Sequence, residues 1–171
     1  MGLGQVQPGS EENSTPVTDG ADFTVTAGTR YYAFITLPST YPFYTITGLE
    51  WKNGATVAGN VLCGIDIVDA DPPTLASTPL VALGMQVAQS GTSVVQRNSN
   101  IKAWFPGGTL LGCWISLSDG TAKVREQTGL GSQNQLKTVG AYTSTPATNE
   151  VTAWSTATAR KYIKLYYKGY Q

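Results

Sequence analysis

The chain has 171 residues, enough for one domain that buries about two thirds of the surface its unfolded form would expose. It carries 11 basic residues, 11 acidic residues and no histidine, so its formal net charge is zero. That balance removes any whole-chain electrostatic drive toward nucleic acid. The lack of histidine removes every Ser-His or Cys-His nucleophile pair and every histidine metal site.

The charges are nonetheless sorted along the chain. Residues 1–80 hold eight acids against two bases, Arg30 and Lys52, while residues 81–171 hold nine bases against three acids, Asp119, Glu126 and Glu150. Two arrangements fit this polarity: an acidic segment docked on a neighbouring copy's basic face, or both halves interleaved in one body so that charges cancel locally.

Residues 1–22 combine Gly2, Gly4, Pro8, Gly9, Pro16 and Gly20 with Glu11, Glu12, Asp19 and Asp22, and show no apolar periodicity. The stretch reads as an N-terminal arm outside the core, either ordered only on a partner subunit, with those four acids as its assembly contacts, or a frayed terminus without a role. Met1 to Gln7 has no cationic start followed by an apolar run, so no secretion signal is expected, and no apolar stretch is long enough to span a bilayer.

Residues 23–171 read as a single domain of short strands. The predicted strands are Phe23–Thr26 and Arg30–Leu37, with Ala27-Gly28-Thr29 turning between them, then Thr45–Trp51 and Gly59–Val68. Leu80–Val87, Ser93–Arg97, Leu110–Leu117, Ala122–Gln127, Lys137–Tyr142 and Lys161–Tyr167 follow. No window sustains helical spacing over three turns, although a short helical turn near Val151–Ala159 fits a Ser/Thr/Ala-rich surface excursion. The expectation is an all-β, antiparallel β-sandwich of jelly-roll type.

Alternation places Leu111, Cys113, Ile115 and Leu117 on one face and Leu110, Gly112, Trp114 and Ser116 on the other. It groups Val61, Cys63, Ile65 and Ile67 in the same way. Both cysteines then point inward on strands that could be neighbours, and without a secretion signal two buried thiols are favoured over a disulfide.

Few residues suggest chemistry. Asp66, Asp69 and Asp71 fall close together at a strand end, the kind of cluster that holds Ca²⁺, yet the spacing is not that of an EF-hand loop and Pro72-Pro73 favours an ordinary acidic turn. A glycosidase would need a carboxylate pair, but most acids sit in the arm or in turns, so no enzyme and no cofactor is expected. Aromatic side chains are the more informative set, because they stack on sugars and anchor interfaces. Tyr41, Phe43 and Tyr44 in a Tyr-Pro-Phe-Tyr loop and Trp104 and Phe105 before a Pro-Gly-Gly turn are the expected exposed ones. On the last strand Tyr162, Lys164, Tyr166 and Lys168 share a face expected to meet solvent or a partner, unless the lysines only guard a sheet edge.

The run Gly59-Asn60-Val61 with Gly64-Ile65-Asp66, followed by Pro72-Pro73-Thr74 and later Pro106-Gly107-Gly108-Thr109-Leu110, resembles the jelly-roll, carbohydrate-binding-like domains of tailed-bacteriophage virion proteins. The chain departs from that pattern in having Asp66 where an aromatic is common and in displacing Cys113-Trp114 from the Pro-Gly turn. The resemblance implies a virion location and a non-enzymatic structural role as a capsid decoration or cement protein held by its arm. Its alternative is a glycan-binding receptor module of a head or tail fibre. Expected partners are other virion proteins, further copies of the chain and a host surface glycan, with neither nucleic acid nor membrane.

Overall fold

The computed structural model describes residues 9–14, 18–68, 85–128, 133–136, 154–157 and 160–171. In chain order the strands are β1 (Glu12–Asn13), β2 (Thr18–Thr24), β3 (Arg30–Thr36), β4 (Phe43–Lys52), β5 (Asn60–Ile67), β6 (Met85–Ala88) and β7 (Val95–Asn98). They continue as β8 (Ala103–Pro106), β9 (Leu110–Leu117), β10 (Lys123–Thr128), β11 (Gln133–Leu136), β12 (Trp154–Ala157), β13 (Arg160–Lys161) and β14 (Ile163–Tyr170). No helix occurs among the described residues.

Three antiparallel sheets result. One has six strands in the order β12-β11-β3-β9-β5-β6, one has the order β1-β14-β4-β7 with β8 also on β4, and one has three strands, β13-β10-β2. The first two sheets share one core, the arrangement of a β-sandwich. Tyr31 and Ala33 of β3, Val61, Cys63 and Ile65 of β5, and Leu111, Cys113, Ile115 and Leu117 of β9 meet Ile46, Leu49 and Trp51 of β4 and Leu165 of β14. Val124 of the three-stranded sheet joins the same core, and its backbone bridges Asn53 just past β4.

The alternation predicted for β5 and β9 is what the structure shows. Cys63 lies opposite Ile115 and Cys113 opposite Ile65, so the two thiols share the inner face of neighbouring strands, and both are buried. The other face of the same sheet buries a second cluster, Tyr32, Phe34, Leu62, Val68 and Trp114.

Several expectations change. Residues 9–14 and 18–22 do not stand away from the body: β1 pairs with β14 and β2 pairs with β10. The Gly9 amide donates to the Gly169 carbonyl at 2.9 Å and the Ser14 amide to that of Leu165 at 2.9 Å, so this segment covers the edge of β14. Lysines are therefore not what guards that edge. The turn at residues 27–29, with Gly28 at a positive φ of 75°, is no hairpin but a corner that carries the chain from the three-stranded to the six-stranded sheet. Residues 154–157 form a strand rather than a helical turn, held by the ladder from Gln133–Leu136. The strand expected at Leu80–Val87 is seen from Met85 onward, and that at Lys137–Tyr142 lies outside the described residues.

Candidate binding face

The outer face of the five-stranded sheet collects most of the aromatic candidates. Tyr44 and Ile46 of β4 turn inward, so Phe43 and Thr45 turn outward; Phe105 of β8 is in the core and Trp104 points away. Trp104 is 62% exposed and Phe43 53%, the two most exposed aromatic side chains among the described residues. The Trp104 ring leans on Tyr170 with centroids 4.9 Å apart and planes at 41°. Register makes the group continuous: Tyr170 lies opposite Phe43, and Phe43 opposite Pro106. In the next row Lys168 faces Thr45, and Thr45 faces Trp104.

Along the same face the aromatic end gives way to a polar strip. The Arg97 guanidinium lies 3.8 Å above the Tyr166 ring and donates to Glu11 Oε1 at 2.8 Å, where the Thr47 hydroxyl also donates at 2.6 Å. The Arg97 bond, then that of Thr47, holds the Glu11 carboxyl below its ordinary pKa. Glu50, itself buried, accepts from the Tyr162 hydroxyl at 3.2 Å and the Tyr166 hydroxyl at 2.7 Å, with Lys164 Nζ at 3.9 Å. Burial and the Glu50 charge push both phenols up to about 12.

Beyond this strip Asp19 bridges Lys52 at 2.6 Å and Arg125 at 3.1 Å, and Asp22 meets Arg125 at 2.9 Å and the Ala55 amide at 3.0 Å. Asp19 is held low by the bonds from Arg125 and Lys52. For Asp22 desolvation pulls upward, but the Ala55 amide and Arg125 outweigh it and the carboxyl is lowered.

Three of the four acids expected to tie an arm to a neighbour are thus engaged at home. Glu11, Asp19 and Asp22 bind bases of their own chain, and Glu12 lies opposite Tyr167 in the β1–β14 ladder. Of the two arrangements open to the sorted charges, this is local cancellation.

Among the expected aromatic contacts, Trp104 is exposed, Tyr166 and Lys164 are half-buried on the same face, and Tyr162 is buried with its hydroxyl on Glu50. Tyr44 is a core residue with no exposed surface, edge-on to Tyr41 at 5.8 Å and to Tyr167 at 5.4 Å. Tyr41 is half-buried and packs against this pair rather than presenting a free ring. Phe43, Tyr170, Lys168 and Arg97 complete the face; Phe43 and Lys168 were expected at the surface, whereas Tyr170 and Arg97 were outside the expected site. The signal for Tyr170 was present, because it extends the outward set Tyr162, Lys164, Tyr166, Lys168 by one more step of two.

Asp66 does not lie in an open turn. It is buried on the opposite side of the molecule, on the outer face of the six-stranded sheet, where the Tyr32 hydroxyl donates to its Oδ2 at 2.6 Å. Nearby the Arg30 guanidinium stacks 4.0 Å above Trp114. Burial pushes the Asp66 carboxyl up to about 6, and the Tyr32 hydroxyl, the Trp114 indole and the Arg30 charge offset only part of that. Asp66 Oδ1, Arg30 Nη1 and Trp114 Nε1 are buried without a hydrogen bond of full geometry; the indole N–H faces the carboxyl without completing one. Asp69 and Asp71 lie outside the described residues, and among those described no three acid or thiol side chains come together as metal ligands.

The described face therefore offers aromatic ring faces and cations on a rigid sheet, while each of its carboxylates is already occupied by the chain's own donors. Comparison with family models, with curated proteins and with solved structures finds no match for this chain.

Proposed function

We propose that the chain is a non-enzymatic, jelly-roll surface component of a bacteriophage virion that holds a host glycan on the outer face of its five-stranded sheet. One observation carries the glycan reading: Trp104, Tyr170 and Phe43 form a contiguous, solvent-facing aromatic platform at one end of that face. Sugar rings present apolar C–H faces that stack on indole and phenol rings, and hydroxyls that bond to a polar border. Here the border is Lys168, Thr47 and Arg97. Because the platform stands on paired strands, little side-chain freedom is lost when a ligand lands. Display of several copies on a particle would turn a weak single site into firm attachment.

The test is a glycan array followed by a polysaccharide pull-down with the parent chain and Trp104→Ala. Trp104 is mostly solvent-exposed, so the variant should unfold at nearly the parent temperature. Binding lost from a folded variant supports the platform, and binding retained at parental affinity refutes it. The particle assignment rests on the Gly59-Asn60-Val61 and Pro106-Gly107-Gly108 resemblance, and detection of the chain in purified particles tests it. A cement role through residues 1–22 has less support, since Glu11, Asp19 and Asp22 are taken up within the chain.

A further inference from the structure

The charge around the aromatic platform is one-sided. Lys168 and Trp104 face Thr45 from the two strands that flank β4, and Lys102, exposed, precedes Trp104 by two residues. Strand spacing puts the Cα of Lys168 about 10 Å from that of Trp104, and Lys102, just before β8, lies within about 7 Å of it along the chain. Neither lysine makes a salt bridge among the described residues. The acids of the face are spent elsewhere: Glu11 on Arg97, Asp19 on Lys52 and Arg125, and Glu50 under the Tyr162 and Tyr166 hydroxyls. Among the described residues, the charges beside the indole that lie outside any salt bridge are positive, although Lys168 also feels the Glu11 carboxylate beyond salt-bridge reach.

Building on the glycan-binding reading, we infer that the ligand is an acidic polysaccharide, with one sugar ring on Trp104 and a carboxylate between Lys168 and Lys102. A lysine ammonium on its flexible stem acts as a movable point charge, suited to a carboxylate whose position varies along a polymer. The neutral hydroxyls of a plain glucan would leave both ammonium groups unanswered. Attraction of this kind, between exposed charges, weakens as salt screens it.

The experiment compares three polymers of carboxylated sugars, polygalacturonate, hyaluronate and polysialic acid, each with its methyl-esterified form, by affinity electrophoresis and calorimetry. At least one acid form should bind the parent chain roughly tenfold more tightly than its ester, and the difference should vanish as salt rises from about 0.05 to about 0.5 M. Lys102→Gln with Lys168→Gln should bring the acid form down to the level of the ester, while Trp104→Ala removes both. Equal binding of acid and ester, or an unchanged preference in the double lysine variant, overturns the acidic assignment and leaves the platform standing. Failure of every acid and neutral polymer to bind overturns the assignment and the glycan reading together.

Discussion

Asp66 offers the sharpest test of the buried side of the molecule. Its carboxyl rises from an ordinary 3.8 to about 6 in the folded chain, chiefly through burial, so the native state holds that proton more tightly than the unfolded state does. A folded pKa above the unfolded one fixes the sign: the associated stability is complete below pH 3.8 and is lost as pH rises through about 6. A rise of this size corresponds to about 3 kcal/mol, and a residue this deeply buried needs no discount for solvent screening. Asp66→Asn keeps the shape and abolishes the titration. Relative to the parent, the variant should therefore gain about 2.5 kcal/mol between about pH 4 and pH 7, whatever constant offset the amide introduces. Urea unfolding followed by tryptophan fluorescence reads this directly, because Trp51 and Trp114 are fully buried. Tyr32→Phe removes the hydroxyl that favours the carboxylate, and should move the window to higher pH. A stability difference between Asp66→Asn and parent that stays flat from pH 4 to pH 7 would refute the reasoning.

Two further outcomes follow from the packing. In Gly107→Ala the new methyl would run into the Tyr41 backbone carbonyl, with the Pro38 carbonyl also near, and neither can yield as a flexible side chain would. The expected cost is about 2–3 kcal/mol, or a fall of roughly 5–10 °C in Tm, and a Tm within a degree of the parent would contradict it. Burial pushes the Cys63 thiol up to about 11 despite the Asn98 amide, and raises Cys113 further, with the Asp66 charge adding to it. Neither thiol should react with an aromatic disulfide reagent at pH 8 while the chain is folded, and both should react in urea. Rapid modification of either in the native protein would show that the core is open there.

The strands that line the core could be read from sequence wherever one face is apolar without interruption, as in Leu111, Cys113, Ile115 and Leu117. The sequence misled at β4 because its phase changes partway. Tyr44 and Ile46 point inward, but so do Leu49 and Trp51, and the switch is made at Thr47, an extra residue that bulges between the pairs Ile46–Tyr167 and Gly48–Tyr166. Counting back by twos from Trp51 puts Phe43 in the core and Tyr44 outside, the reverse of what is found. The N-terminal segment was illegible for another reason. Thr18–Thr24 includes two aspartates and a glycine, a poor strand by propensity, and it is held by its ladder to β10 and by Arg125, more than a hundred residues away in sequence. The buried polar group around Asp66 was hidden too, since only the pairing of β3, β9 and β5 brings Tyr32 over Gly112 to the carboxyl.

The hydrogen bond from Gly9 to Gly169 ties residues at opposite ends of the described chain to one sheet edge. During folding, that contact closes a loop of nearly the whole sequence, so it is among the most entropically demanding and belongs late in the order of assembly. A circular permutant makes the same point constructively. With a short linker between these neighbouring ends and new termini opened in the exposed Asp119–Thr121 turn, the longest-range pairing becomes a local hairpin. Such a molecule should keep the sandwich and reach it faster, which stopped-flow refolding of the two molecules compares.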